Sequence, residues 1–239
     1  MKSKIEEAKS AIKKAKNIMV LSGAGLSTEA GVPDFRSPQG LYSKEFKGYN
    51  PETVLSHSFF LNHPDLFYEY IRTYMNYQDL KPSYSYKLLE KNPKIKMIVT
   101  QNIDGLHKGA GSQNVFEVHG TMRDFYCLKC KKHYSVEEMM KDHSYQCDCG
   151  GLIRPDVVLY EENVKDIESV ISKVEEMDLL LVLGSSLQVY PVASLPQIFI
   201  SWCKPVIIIN EQETPYKNDD YVIEINDEIK KTISLILHK

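Results

Sequence analysis

The chain is 239 residues long, 43% hydrophobic and 26% charged, with a formal net charge of −3. That length allows one well-buried core with room for a small inserted module, and the composition excludes both a disordered chain and long-range electrostatic capture of nucleic acid. No apolar stretch approaches the ~20 residues that span a bilayer, and the N-terminal MKSKIEEAKS has acidic residues where a signal peptide needs an apolar segment, so a cytoplasmic protein without membrane contact is expected.

Residues 2–16 place Ile5, Ala8, Ile12 and Ala15 at helical spacing among lysines and glutamates, which predicts an amphipathic surface helix. The apolar run at 17–21 (NIMVL) ends in Ser22-Gly23-Ala24-Gly25, the pattern of a buried parallel strand entering a tight turn before a helix. Residues 42–89 are rich in aromatics, and SFFLNHPDLFYEYIRTYMNY carries more apolar surface than a connection needs, so a helical insert covering a cleft is expected. Further apolar runs at 95–99 (IKMIV), 179–183 (LLLVL) and 206–209 (VIII), each flanked by helical stretches, predict an α/β fold built on a doubly wound parallel sheet. A short polar insert at 127–149 holds four of the five cysteines, which suits a metal site in a reducing compartment better than a disulfide framework; Cys203 is expected to be a buried structural thiol.

Several segments carry more chemistry than their structural role requires. Gly23-Ala24-Gly25-Leu26-Ser27-Thr28 offers a glycine turn and a helix N-terminus, which exposes backbone N–H groups to a pyrophosphate, although Thr28 stands where a dinucleotide fingerprint has its third glycine and such a turn is often only a turn. Gly31-Val32-Pro33-Asp34-Phe35-Arg36 adds a rigid proline, a carboxylate, an aromatic and a cation. The run at 95–99 turns abruptly into Thr100-Gln101-Asn102-Ile103-Asp104-Gly105-Leu106-His107, whose polar groups would line the crevice beyond the strand ends; the bland alternative is a loop in which Asp104 caps a helix. His119 ends an alternating segment and is followed by Gly120, which would let a substrate approach the backbone. A histidine there is commonly structural, yet it is also the side chain best suited to base catalysis near neutral pH. Cys127, Cys130, Cys147 and Cys149 supply soft ligands in two turns and predict one structural zinc, with His133 and His143 nearby as substitutes should Cys147 or Cys149 not reach the ion.

Taken together, GAGLSTEAGVPDFR, TQNIDGLH, the histidine-glycine pair at His119, the cysteine module, IRPDVVLYEE, LGSSLQVYP and IIIN resemble, in order, the sirtuin family of NAD-dependent protein deacylases over residues 23–210. The resemblance implies a Rossmann-like NAD-binding part at 1–40, 92–122 and 153–239, a helical insert at 41–91 and a zinc-binding module at 123–152, with NAD as co-substrate and an acylated lysine peptide or protein in the cleft between them. It implies cofactor contacts from Gly23, Ala24, Thr28, Phe35, Arg36, Gln101, Asn102, Ile103, Asp104 and His119, with Ser185, Ser186 and Asn210 on the adenosine half and Asp227 as a looser candidate at the adenine edge. Val157, Val158, Tyr160 and Val189 would hold the acyl-lysine peptide. In the chemistry implied, the acyl oxygen attacks the ribose C1′, nicotinamide leaves, and His119 as base helps a ribose hydroxyl accept the acyl group; zinc staples its module and takes no part.

Two departures qualify the likeness. Relatives have phenylalanine-glycine-glutamate where this chain has Tyr160-Glu161-Glu162, so a left-handed backbone at that glycine would leave Glu161 strained or the loop rebuilt. Relatives that favour succinyl or malonyl groups have an arginine three residues after a tyrosine; here Tyr68 is followed by Ile71, with Arg72 one place on, which predicts deacetylation over desuccinylation. An NAD-dependent mono-ADP-ribosyltransferase or NAD glycohydrolase shares the first half of the chemistry and is the alternative. A zinc-ribbon nucleic-acid module lacks a basic stripe, and a Rossmann dehydrogenase lacks the third glycine and the following acid. A monomer is expected.

Overall fold

A computed structural model describes residues 2–34, 40–43, 45–141 and 144–237; Phe35, Arg36 and His143 lie outside them. The N-terminal helix, Lys2–Lys14, buries Ala8 and Ile12 and carries Lys13 and Lys14 in its last turn, where cations complement the helix dipole. The apolar runs form strands β1 (Ile18–Ser22), β2 (Ile95–Thr100), β7 (Leu179–Leu183) and β8 (Val206–Ile209). β1, β7 and β8 are buried at every position, as expected where both faces of a parallel sheet are covered.

With β3 (Val115–Glu117) and β9 (Val222–Ile225), these strands make a six-stranded sheet in the order β3-β2-β1-β7-β8-β9. All its pairings are parallel. Counted within this sheet alone, that is the 3-2-1-4-5-6 order of a dinucleotide-binding fold, with its crevice where the order reverses between β1 and β7. Ser22 lies level with Thr100 and Leu183, so the loops after β1, β2 and β7 leave the same edge.

The third and fourth strands of this sheet are separated in sequence by a second, antiparallel sheet of β5 (His133–Ser135), β4 (Gly120–Cys127) and β6 (Ile153–Val157), whose ends hold the cysteine turns. The aromatic segment folds into helices Pro51–Val54, His57–Asn62, Pro64–Tyr74 and Tyr84–Glu90. Two of these start on proline, which loses nothing at a first-turn position. Within it Phe60 and Phe67 meet edge to face at 5.0 Å, and buried Tyr68 joins it to the small sheet, stacking on Tyr145 and donating its hydroxyl to Ile153 O at 2.8 Å. Tyr84–Glu90 instead packs on the C-terminal helix Ile229–Leu237, against the main sheet. Cys203 is exposed, contrary to the expectation of a buried thiol, because the chain turns sharply there with φ +53° directly after the helix Leu195–Ser201. No described helix is long and apolar enough to cross a membrane.

Candidate functional site

The loops at the carboxyl edge of the large sheet, together with the aromatic helices and the end of β6, enclose a cavity of about 960 Å³, at the upper end of the range typical of ligand sites. Its floor is a glycine contact at the strand-order reversal. A Cβ on Gly23 would lie 2.6 Å from Gly184 O, and one on Gly25 would lie 2.8 Å from Gly184 Cα, so only bare backbone lets the first and fourth loops approach this closely. The Gly25 and Leu26 N–H groups are spent on Gly184 O and Gly23 O, so the turn contributes close approach more than a row of free donors. Ala24 and Thr28 line the cavity, with Thr28 Oγ1 donating to Gly25 O at 3.0 Å.

The loop after β2 puts Gln101, Asn102 and Ile103 on the cavity wall, while Asp104 is buried next to them and is not part of that lining. Asp104, 3% exposed, accepts hydrogen bonds from Ser27 Oγ at 2.6 Å and Leu106 N at 2.8 Å. Burial pushes its carboxyl above the usual range, against the pull of those donors and of Arg123. Asn102 Nδ2 donates to Gly23 O at 3.0 Å and Ser27 Oγ at 2.9 Å, and Tyr86 Oη lies 2.8 Å from the same Ser27 oxygen. Ser27 and Tyr86 thus organise the Asn102 and Asp104 side chains, a role no sequence reading assigned them; the only signal was a serine inside the glycine turn. Gln101 accepts from Ser185 Oγ at 2.7 Å through its side chain, which joins the second and fourth loops.

Gln101 also sets the state of His119. His119 Nδ1 lies 3.0 Å from the Gln101 carbonyl oxygen, which can only accept, so the proton sits on Nδ1 and the Nε2 lone pair is left as a base. Burial lowers the His119 pKa below its ordinary value, and the bond to Gln101 only partly offsets this. Gly120, expected to admit substrate, admits β6 instead: with φ +78° its Cβ would fall 1.9 Å from Asp156 O. β6 then continues along the site, with Val158 N donating to His119 O at 2.8 Å.

Val157, Val158, Tyr160 and Val189 all line the cavity, as do Ile103, Ser186 and Asn210. Asp227 does not; its carboxylate is taken by Lys231 Nζ at 2.7 Å and by Glu228 N. Glu161 adopts φ +78°, the left-handed conformation a glycine would favour, and its carboxylate accepts from Ser58 N at 2.9 Å and Ser58 Oγ at 2.8 Å. Glu162 pairs with Arg154 through both oxygens and also accepts from Leu159 N, fixing the 154–162 segment; burial would raise its carboxyl, but Arg154 holds it down to about 2. At the apolar end of the cavity lie Phe67, Ile71, Met75 and Met122. Arg72 turns away, its guanidinium donating to Met139 O at 3.1 and 3.2 Å and resting 4.9 Å from the Tyr68 ring.

At the far end of the small sheet, the sulfurs of Cys127, Cys130, Cys147 and Cys149 lie within 4.8 Å of one another, with the 127–149 and 130–147 pairs at 3.5 Å. A tetrahedral zinc with Zn–S near 2.3 Å has sulfur–sulfur edges of about 3.8 Å, so the set fits. Lys129 N points at Cys127 Sγ at 3.3 Å, supporting the ligand. His133 pairs with Asp124 at 2.9 Å and is not needed as a ligand.

Residues 23–191 match the profile of the Sir2 family. An NAD-dependent protein deacetylase of Clostridium acetobutylicum is 43% identical over 243 residues, covering 98% of each chain, and one of Sulfolobus acidocaldarius is 42% identical over 229 residues, covering 91% of this chain and 88% of that one. Among solved structures, Sir2 with a p53 peptide and NAD+ superposes with TM-score 0.84 at 33% identity over 96% of this chain and 97% of that one. A Sir2 histidine-to-alanine variant with deacetylated p53 peptide and 3′-O-acetyl ADP ribose superposes with TM-score 0.88 at 32% identity over 98% and 97%.

Proposed function

We infer that this chain, which belongs to the Sir2 family and is an NAD-dependent protein deacetylase, uses His119 as its general base in the cavity between the two sheets. The single observation that carries the role is the Nδ1 contact with Gln101 O, which leaves Nε2 unprotonated and directed by a rigid backbone acceptor. NAD, as co-substrate, supplies an electrophilic ribose carbon and a leaving group. Around it, Asn102 and Asp104 offer an amide and an acid held by Ser27 and Tyr86. Gly23, Ala24 and Thr28 offer backbone at close range, and Ser185, Ser186 and Asn210 face the adenosine half. Such prior fixing of polar groups is what lets positioning lower the barrier.

The acylated lysine peptide lies along Val157, Val158, Tyr160 and Val189. Its acyl group faces Phe67, Ile71 and Met75, an uncharged end that favours acetyl over succinyl. Four thiolates hold one structural zinc, which closes a module with little core of its own. A net charge of −3 gives no long-range attraction to nucleic acid, and the enzyme is proposed to act as a cytoplasmic monomer.

Incubation with NAD and an acetyl-lysine peptide, followed by mass spectrometry, should yield free lysine peptide and acetyl-ADP-ribose in solution, with turnover by His119→Ala reduced by about 100-fold or more. ADP-ribose joined to protein, or wild-type turnover by His119→Ala, would overturn the assignment.

A further inference from the structure

We infer that Glu224 is a positioning residue for the adenosine end of the cleft: through Thr214 and Asn226, its buried carboxylate holds the 210–212 segment in the shape that binds the adenosine half of NAD. The inference rests on the reading that this segment carries that half.

β8 ends at Ile209, and the chain bends directly into Asn210, Glu211 and Gln212, all of which line the cavity. The segment that follows has little apolar anchorage of its own; Glu211, Gln212, Glu213 and Pro215 are exposed. It is held by polar contacts from β9. Glu224 is 1% exposed, in a strand whose other residues are valine and isoleucine. Its Oε1 accepts from Thr214 N at 2.8 Å and Asn226 Nδ2 at 3.0 Å, and its Oε2 accepts from Thr214 Oγ1 at 2.8 Å. Asn226 Nδ2 also reaches Asn210 O at 3.3 Å, while Asn210 N donates to Ile225 O at 3.3 Å. Two residues further along, Tyr216 donates its hydroxyl to Ala193 O at 3.0 Å, tying the far end of the loop to the segment behind Val189.

Lys4, the cation that reaches this residue, donates to the Glu224 backbone carbonyl at 3.0 Å rather than to its carboxylate. The buried carboxyl oxygens are therefore met by neutral donors, an arrangement that costs stability relative to an apolar side chain at the same place in a strand. What the carboxylate supplies instead is a fixed geometry at the rim of the cavity, where a binding segment needs a rigid support.

The test uses Glu224→Leu, nearly the same size but without acceptors, together with Asn226→Ala and Asn210→Ala, with ADP-ribose binding measured by calorimetry alongside KM for NAD and for acetyl peptide. Glu224→Leu should weaken ADP-ribose binding and raise KM for NAD by about tenfold, with KM for the peptide within about twofold. Glu224→Gln should recover most of the loss, because its amide oxygen accepts the N–H donors while its NH2 group donates to the Thr214 hydroxyl oxygen. Asn226→Ala, at an exposed position, should show a smaller loss of about threefold in the same direction, and it carries the test if Glu224→Leu does not fold. Unchanged ADP-ribose binding in Asn210→Ala overturns the underlying placement of the adenosine. Weakened binding in Asn210→Ala alongside wild-type binding in Glu224→Leu or Asn226→Ala overturns the positioning role, as does an equal loss of NAD and peptide affinity.

Discussion

Acid should loosen this protein beginning at the shelf that carries Gln101 to Asp104, and His107 is the reason. Its ring is 2% exposed beneath that shelf, in edge contact with Tyr86 at 4.6 Å, with Nε2 2.8 Å from Ser22 Oγ. Ser22 in turn donates to Thr100 Oγ1 at 2.9 Å, so the favoured tautomer has its proton on Nε2, and Nδ1 has no hydrogen-bond partner among the described residues. A second proton on Nδ1 would be a buried charge with no acceptor. Burial accordingly pushes the His107 pKa down from 6.5 to about 3. Below pH 6.5 the unfolded chain takes up a proton that the folded chain refuses, so stability present at neutral pH is lost as pH falls toward 3. At ~1.4 kcal/mol per pH unit across that window, the loss between pH 7 and pH 5 is about 2 kcal/mol. Urea midpoints measured at half-unit steps should show wild type losing that much more than His107→Asn, which lacks the titration. The comparison is of slopes, so a lower absolute stability of the variant does not matter. Parallel pH dependence of the two proteins would refute the reasoning.

Three further outcomes follow from the site. Ile71→Arg places a cation at the apolar end of the cavity, so turnover of acetyl peptide should fall by about tenfold while a succinyl peptide becomes a measurable substrate, as read from a panel of acylated peptides; a wild-type acyl profile would remove Ile71 from the acyl pocket. Purified protein should carry one zinc per chain by metal analysis, and stripping it with a strong chelator should abolish deacetylation, since the zinc turns terminate β4 and begin the return to β6, the strand that continues past His119; a metal-free, fully active protein would contradict the assignment of the four cysteines as zinc ligands. Because burial lowers the His119 pKa, the acid limb of the kcat/KM profile should lie below pH 6.5, where an ordinary histidine would already be half protonated; a limb at or above that value would mean that another group controls the rate.

The parts of this molecule that were legible in the sequence are those whose physics is local. Continuous apolar runs announce strands buried on both faces, and β1, β2, β7 and β8 fall where such runs stand. β9 was not read as a strand: Val222 and Ile223 are only half-buried, and a glutamate interrupts its apolar pattern. The motif loops were legible for a similar reason, since glycines, amides and acids crowd into a few residues at each strand end. What the sequence does not carry is which loop faces which. Ser27 and Asp104 are 77 residues apart and Ser185 and Gln101 are 84 apart, so nothing local marks a buried serine as the organiser of an acid.

Glu161 shows the limit most clearly. The sequence posed a choice between a strained backbone and a rebuilt loop, and the chain keeps the backbone, with φ +78°. Its compensation comes from Ser58, 103 residues away, whose N–H and hydroxyl both hold the Glu161 carboxylate. Glycine at that position would supply the same φ freely but leave the Ser58 donors to water. Glutamate in its place therefore exchanges backbone freedom for a tether between the segment after β6 and the helix His57–Asn62. A second tether runs in parallel from His57 Nδ1 to Glu162 at 2.7 Å. The 158–162 wall of the cavity is thus fixed to the aromatic helices by the very residue that stands where a glycine was expected.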